Sequence, residues 1–252
     1  MMDSVFFSGS ISIKTLPERI KQSLDAIKNE GKHRILVGDA NGFDSLLQKY
    51  CAKIGLTDVT VYTISEVPRN HEAPFDVKHV KVPDGIRGGR QRQTFKDEKM
   101  TLDSNISYVV WDEKSKGSYT NIIRAFKSNK KVRVFSAKNN VPINNIDIDS
   151  INKIYFNSNG FAAKDLLDEL FKKGVKEFDT VRQLNSYLLN NNYIEKLDSS
   201  SNVYRTLNTE YATDELYRGR HSGVKFKYEL VQALVNKFQN KSKVGAYGGM
   251  RG

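Results

Sequence analysis

Cysteine is almost missing from this 252-residue chain: Cys51 stands alone. A lone thiol excludes an internal disulfide and a cysteine-based zinc site. It falls within an amphipathic helical pattern, where an inert core side chain is expected and a reactive thiol is the alternative. Proline numbers only five and glycine follows no period, which excludes collagen-like and proline-rich chains. No window approaches about 18 apolar residues, so no transmembrane helix and no membrane partner are expected. The N-terminal residues lack a basic flank followed by a long apolar run and do not read as a signal peptide; a cytoplasmic location is the expectation. The four histidines, His33, His71, His79 and His221, have no metal-ligand spacing, and no Ser-His-Asp motif is present. No metal or cofactor is expected.

What is present is apolar and basic. Hydrophobic residues make up 38% and charged residues 27%, enough apolar surface to exclude a generally disordered chain. Forty basic residues against 29 acidic give a net charge of +11, spread over both halves. Such a balance favours anionic partners, a nucleotide or a nucleic acid, without choosing between them.

Residues 1–140 alternate short apolar runs with helical spacing. Val5-Phe6-Phe7, 34–37, 59–62, 106–111 and 132–135 read as strands; 16–29, 43–54, 94–103 and 118–127 read as helices. Residues 64–92 hold three of the prolines and read as a long loop. Apolar strands separated by helices predict an α/β domain, a doubly wound, Rossmann-like parallel sheet. Residues 141–159 read as a linker or edge strand, with a weak strand at 153–156. A small α+β domain is expected at 160–240, with helices at 162–173, 180–191 and 227–238 and a strand pair at 193–196 and 203–207. The glycine-rich 241–252 reads as a flexible tail.

In doubly wound folds ligands bind where strands end, and three post-strand loops have suitable residues. Ser8-Gly9-Ser10 offers small residues and hydroxyls, or an ordinary turn. Gly38-Asp39-Ala40-Asn41-Gly42-Phe43-Asp44 opens a helix, whose free N–H groups suit an anion. There Asp39 suits a ribose hydroxyl or a base, and Asp44 suits a base or helix capping. It is not a GxGxxG dinucleotide fingerprint. Gly117-Ser118-Tyr119-Thr120, beside Lys114 and Lys116, suits a phosphate cradle or a plain capped helix.

Taken in order, Ser8-Gly9-Ser10, Gly38 to Asp44, Lys96-Asp97-Glu98-Lys99-Met100, Val110-Trp111-Asp112 and Lys114 to Ile122 resemble the SLOG superfamily over residues 4–135. The nearest branch is the small bacterial and phage YspA-type proteins, related to the lonely-guy hydrolases and DNA-processing protein A. The resemblance implies binding of a nucleotide or nucleotide-derived ligand, sometimes with cleavage of its N-glycosidic bond by a hydrolase or transferase. It also admits a homo-oligomer. Three departures stand out. Ile11 follows Ser10 where the family has Arg. Lys96 replaces an Arg and loses its bidentate geometry. Asn121 occupies the place of the hydrolases' catalytic Glu. Glycosidic cleavage needs carboxylates, and Asp39, Asp44, Asp97 and Glu98 are the candidates.

Two further segments bear on partners. Arg87-Gly88-Gly89-Arg90-Gln91-Arg92 reads as a basic loop, with Arg90 and Arg92 as candidate phosphate or nucleic-acid contacts. The C-terminal helices followed by a strand pair look like a winged helix, with Arg182 and Arg205 as candidate DNA contacts, or like a helical interaction module. A DNA-binding protein is therefore the alternative to nucleotide binding.

Overall fold

The computed structural model describes residues 3–247, with the backbone alone from 240 onward. The chain divides into two compact units, Met1–Ile151 and Asn152–Gly252.

The first unit is built around seven strands: β1 (Asp3–Gly9), β2 (His33–Gly38), β3 (Val59–Thr63), β4 (Asp76–His79), β5 (Ile106–Trp111), β6 (Lys131–Ser136) and β7 (Val141–Ile143). They lie in the order β4-β3-β2-β1-β5-β6-β7. All neighbours are parallel except β7, which runs antiparallel to β6. The intervening helices are α1 (Glu18–Glu30), α2 (Phe43–Ile54), α3 (Gly89–Asp103) and α4 (Lys116–Lys127). This is a Rossmann-like α/β fold.

Strand alternation assigns the two faces. Val5 and Phe7 of β1 pack in one core with Leu24 of α1 and Leu47 of α2. Phe6, between them in sequence, packs in another with Met100 of α3. Successive side chains point to opposite faces of a strand, so a continuous apolar run is what a sheet covered on both sides requires. α1 and α2 end as their sequences indicate, at Gly31 and Gly55. α1 follows Pro17, whose ring presets the backbone for a first turn, and stops at Gly31 in the left-handed conformation.

The chain enters β1, moves outward through β2, β3 and β4, then returns to β5 on the other side of β1. That reversal leaves a crevice beyond the carboxyl ends of β1 and β5, the place where open α/β sheets bind ligands.

Three expectations are corrected. Residues 64–92 are not all loop: β4 pairs with β3 through Thr60–Asp76 to Thr63–His79. Its Asp-Val-Lys-His sequence is polar because it forms an exposed edge. The basic loop is partly helix, since α3 begins at Gly89 and Arg92 N–H donates to Gly88 C=O (2.9 Å). Residues 153–156 are not a strand but lie in α5 (Ile148–Asn159). A reciprocal cap starts that helix: Ser150 N–H donates to Asp147 Oδ1 (2.7 Å), and Asp147 N–H to Ser150 Oγ (2.9 Å).

The second unit contains α6 (Ala163–Lys172), α7 (Val181–Asn190), β8 (Ile194–Lys196), β9 (Tyr204–Thr206), β10 (Ala212–Tyr217), β11 (Arg220–Phe226) and α8 (Tyr228–Tyr247). β8 pairs with β9 and β10 with β11, both antiparallel. Leu166, Leu170, Leu184, Leu188, Phe226 and Leu234 lie in one apolar core. A capping box on Thr180 and Gln183 opens α7. The tail expected from 241 begins as helix, because α8 runs to Tyr247; the expectation for 248–252 lies outside the described residues. Among the described residues no helix is long and apolar enough to cross a membrane.

Gly42 is a backbone position with no room for a side chain beside the crevice. Its φ is +80°, and a Cβ there would stand 2.9 Å from Ile11 Cα and collide with the Ile11 carbonyl oxygen. Gly42→Ala is expected to cost about 2 kcal/mol or more, combining left-handed strain with overpacking. Urea unfolding will show it as a lower midpoint at unchanged m-value.

Candidate functional site

The crevice is a cleft of about 590 Å³ lined by the ends of β1 and β5 and the starts of α2, α3 and α4. That volume suits a small-molecule ligand. A second cavity of about 620 Å³ continues from it along α3 and α4, sharing Arg90, Thr94, Asp97, Lys116, Gly117 and Asn121.

Hydroxyls form one wall. Ser10 Oγ lies 2.6 Å from Ser115 Oγ and 3.2 Å from Ser118 Oγ, and accepts from Asp112 N–H at 3.2 Å. Asp112 fixes the approach to α4 by accepting from Ser12 Oγ (2.6 Å), Ser115 N–H (2.7 Å) and Lys114 N–H (3.1 Å). Although burial opposes ionisation, these donors hold its carboxyl low, at about 2. Ser8 lines the same cleft at 6% exposure, and its Oγ has no hydrogen-bond partner among the described residues. A buried hydroxyl without a partner calls for an explanation such as a ligand or an unseen water. The first turn of α4, at Lys116, Gly117 and Ser118, also faces the cleft. Amides there have no acceptor within the helix, and they carry the positive end of its dipole.

Carboxylates and cations form the floor. Asp39 is fully buried and is absent from the cleft wall. Its Oδ1 accepts from Lys96 Nζ and from an Arg69 guanidinium nitrogen, each at 2.7 Å. Its Oδ2 accepts from Thr63 Oγ1 (3.0 Å) and Arg69 N–H (3.2 Å). Burial pushes this carboxyl up, but the hydrogen bonds from Arg69 and Lys96 win and hold it well below the usual carboxylate range.

Asp44 behaves in the opposite way. It lines the cleft and accepts from Ala40 N–H at 3.2 Å. Burial raises its carboxyl to about 7; Lys96 opposes that rise and Asp97 adds to it. Asp97 also lines the cleft and is raised by burial, against the pull of Lys96, Arg124 and a hydrogen bond with Asn121. The cleft therefore holds two carboxyl groups whose surroundings favour the protonated form.

The sequence candidates divide by position. Ser8, Gly9, Ser10, Asp44, Arg90, Lys96, Asp97, Gly117 and Ser118 line the cleft. Thr120 and Glu98 line the adjoining cavity; Thr120 Oγ1 donates to Lys116 C=O, and Glu98 stands 3.9 Å from Arg124. Gly38, Gly42 and Arg92 line neither cavity. Gly38 makes room beneath the cleft, since a Cβ there would meet Asp44 Oδ2 and stand 3.2 Å from Lys96 Nζ. A Cβ on Gly9 would run into the Phe43 side chain. Both glycines thus have a packing reason as well as their place beside the site.

Arg69 was not a candidate from sequence. It lines the cleft and joins Asp39 to Gln93 Oε1 (3.2 Å). Buried Gln48 positions its loop, donating to Gly38 C=O (2.9 Å) and accepting from Glu72 N–H (3.2 Å). An arginine flanked by Pro68 and Asn70 in a long loop carries no local signal; only pairing across space identifies it. Cys51 is buried and its thiol is pushed up to about 12, which fits the inert role. Among the described residues no group of three or more His, Cys, Asp or Glu side chains could hold a metal ion.

Comparison of the sequence with protein-family models gives no match, and neither does comparison with curated proteins. The chain is similar to a solved structure of DNA processing protein A from Helicobacter pylori, described for its single-stranded DNA binding mode. The identity is 15% and the TM-score 0.39, over 75% of this chain and 80% of that one.

The two carboxyls beside Lys96 have opposite effects on stability. Asp39 is depressed in the fold, so it stabilises above the ordinary carboxylate range, and that stability is lost as pH falls through and below this range. Asp44 is raised, so it costs stability as pH climbs from about 4 to about 7. Asp39→Asn is expected to destabilise by about 3 kcal/mol or more at neutral pH, because Lys96 keeps a buried charge without its partner. Asp44→Asn is expected to be the more stable protein at pH 8, by about 1 kcal/mol, and equal to the parent near pH 4. Denaturant unfolding across that pH range checks both signs.

Proposed function

We propose that the first unit binds a nucleotide or nucleotide-derived ligand, with its phosphate on the first turn of α4 and its base or sugar beside Asp44 and Asp97. One observation carries this reading. Ser8, whose hydroxyl is buried without a partner among the described residues, the Ser10–Ser115–Ser118 cluster and the first turn of α4 line one cleft at the reversal of strand order. A phosphate is the group that such a convergence of donors satisfies best. Lys116, Arg90 and Arg69 stand at the same cleft and supply compensating charge.

The carboxyl pair extends the reading to chemistry. Asp44 and Asp97 have raised affinity for protons, which is what a general acid needs to work near neutral pH. In cleavage of an N-glycosidic bond, one would donate a proton to the departing base. The other, ionised, would take a proton from the attacking water as the carbon–nitrogen bond breaks and the carbon–oxygen bond forms. Asp39 has both oxygens engaged in the fold and would act by holding Lys96 between the two carboxyls. Asn121 cannot act as a base, so any catalysis would differ from that of the lonely-guy hydrolases.

Thermal unfolding with nucleoside mono- and diphosphates, dinucleotides and cyclic nucleotides tests the binding. A ligand at a hundred times its Kd is expected to stabilise by about 2.7 kcal/mol. Gly117→Val is expected to remain folded, since nothing lies within 4 Å of a Cβ at that position, and to lose that response. No stabilisation by any of these compounds, or an unchanged response in the variant, would sink the phosphate site. Chromatography for free base tests the chemistry. Asp44→Asn and Asp97→Asn should each slow release by at least about tenfold, some 1.4 kcal/mol of barrier. If the parent protein releases no base from any nucleotide, the catalytic part falls and binding stands alone.

A further inference from the structure

The second unit has its own charged surface, and its chain order gives that surface a framework. Phe161, between α5 and α6, bridges Phe226 of β11 in antiparallel fashion. The order is thus one bridging residue, helix α6, a connection at 173–180, helix α7, and two hairpins, the last strand of which returns to the bridge. α6, α7 and that last strand share one core through Leu166, Leu170, Leu184, Leu188 and Phe226. Two packed helices, joined by residues 173–180, are thus followed by β-hairpins, the chain order of a winged helix.

The solvent face of α7 is free of acids. Arg182, Gln183, Ser186 and Asn190 are exposed, while Leu184 and Leu188 are buried. The spacing 182, 183, 186 and 190 puts the exposed four on one side of the helix. Gln183 is engaged in the cap of α7, while Arg182, Ser186 and Asn190 carry side chains of the kind that bond base edges and phosphates.

The hairpin tip adds paired arginines. Tyr217 pairs with Arg220, leaving Arg218 and Gly219 as a two-residue turn with φ values of +50° and +77°. Asn or Asp before Gly suits such a turn; an arginine in the left-handed region costs about 1 kcal/mol. The Arg218 guanidinium lies over the exposed Tyr217 ring, 5.4 Å from its centroid, at the very tip of the hairpin. The acids of the hairpin do not cancel that charge. Glu215 pairs with Lys225 (3.6 Å) and Asp214 stands 4.0 Å from His221, while Arg218 and Arg220 have no ion pair among the described residues. Leu216 and Tyr217 beside them are 59% and 66% exposed. The strands reach about 20 Å at roughly 3.3 Å per residue, comparable with the width of a duplex groove and its flanking phosphates.

We propose that the second unit binds duplex DNA, with α7 in the major groove and the β10–β11 tip, through Arg218 and Arg220, on the adjoining backbone and minor groove. This moves the wing from the pair expected from sequence. β8 and β9 are only three residues each, and Arg205 is taken by Glu195 at 2.5 Å. The longer hairpin, carrying the unpaired arginines, has the chemistry a wing needs.

The test is fluorescence anisotropy of the full chain with a labelled duplex of about two helical turns, titrated at several salt concentrations. The variant is Arg218→Asn with Arg220→Thr, residues that suit the turn and the strand. It is expected to melt like the parent, to bind at least about tenfold more weakly, and to flatten the log–log salt slope by about 1.8, at roughly 0.9 per lost phosphate contact. Arg182→Ala should also weaken binding, whereas Arg205→Ala should not. The proposal is overturned if the parent fails to bind duplex at low salt, or if the double variant binds with parental affinity and slope. It is equally overturned if a single strand of the same sequence binds more tightly and is insensitive to the variant, which would move the nucleic acid to another surface.

Discussion

Asp39 sits at the end of β2, out of water, with one oxygen held by two cations. Lys96 comes from α3, and Arg69 comes from the loop between β3 and β4. One carboxylate thereby ties together three segments that are far apart in sequence. A buried charge is tolerated only when paired and hydrogen-bonded, so each partner depends on the others. The cleft floor follows from this. Lys96 is placed where it also acts on Asp44 and Asp97, and Arg69 is placed on the cleft wall.

The same constraint sorts three neighbouring aspartates into different states. Asp39, saturated with donors, stays ionised. Asp44 and Asp97 have lost water with fewer donors in return, and they bind protons more readily. Divergent environments of this kind separate structural carboxylates from those available for proton transfer. Gly38 belongs to this arrangement, because any side chain there would occupy the space of the Asp44 carboxylate. The opposite wall is rich in hydroxyls. The cleft thus has a donor-rich end suited to an anion and an acidic end suited to a base or sugar.

The two proposed sites would address anions by different means. In the first, helix amides and serines converge in a concave site that a small ligand could fill. In the second, charge is displayed on a helix face and a projecting hairpin, which suits a long polyanion. A net charge of +11 spread over both halves of the sequence is compatible with both modes. Since Arg218 and Arg220 lie in a different unit from Lys116 and Gly117, the two modes can be perturbed separately.

Much of the fold was legible because it depends on local pattern. Apolar runs such as Arg34-Ile35-Leu36-Val37, broken by helices that stop at Gly31 and Gly55, carry the covered parallel sheet in their periodicity. The three post-strand loops could be located for the same reason. The polar edge strand at Asp76–His79 was not legible, because its identity lies in pairing with β3 rather than in its own residues. The β10–β11 hairpin escaped notice too: Arg218-Gly219 is an unusual turn sequence, and the exposed strands lack clear alternation. Residues 153–156, aromatic and β-branched, favour a strand locally and become helix through the cap at Asp147 and Ser150. The amino-acid sequence by itself determined the order of elements, the covered sheet and the loops that border the cleft, because periodicity and turn chemistry act over a few residues. Only the tertiary structure decided which aspartate is an anchor and which lines the cleft. Burial and ion pairing depend on Arg69 and Lys96, which meet Asp39 from 30 and 57 residues away.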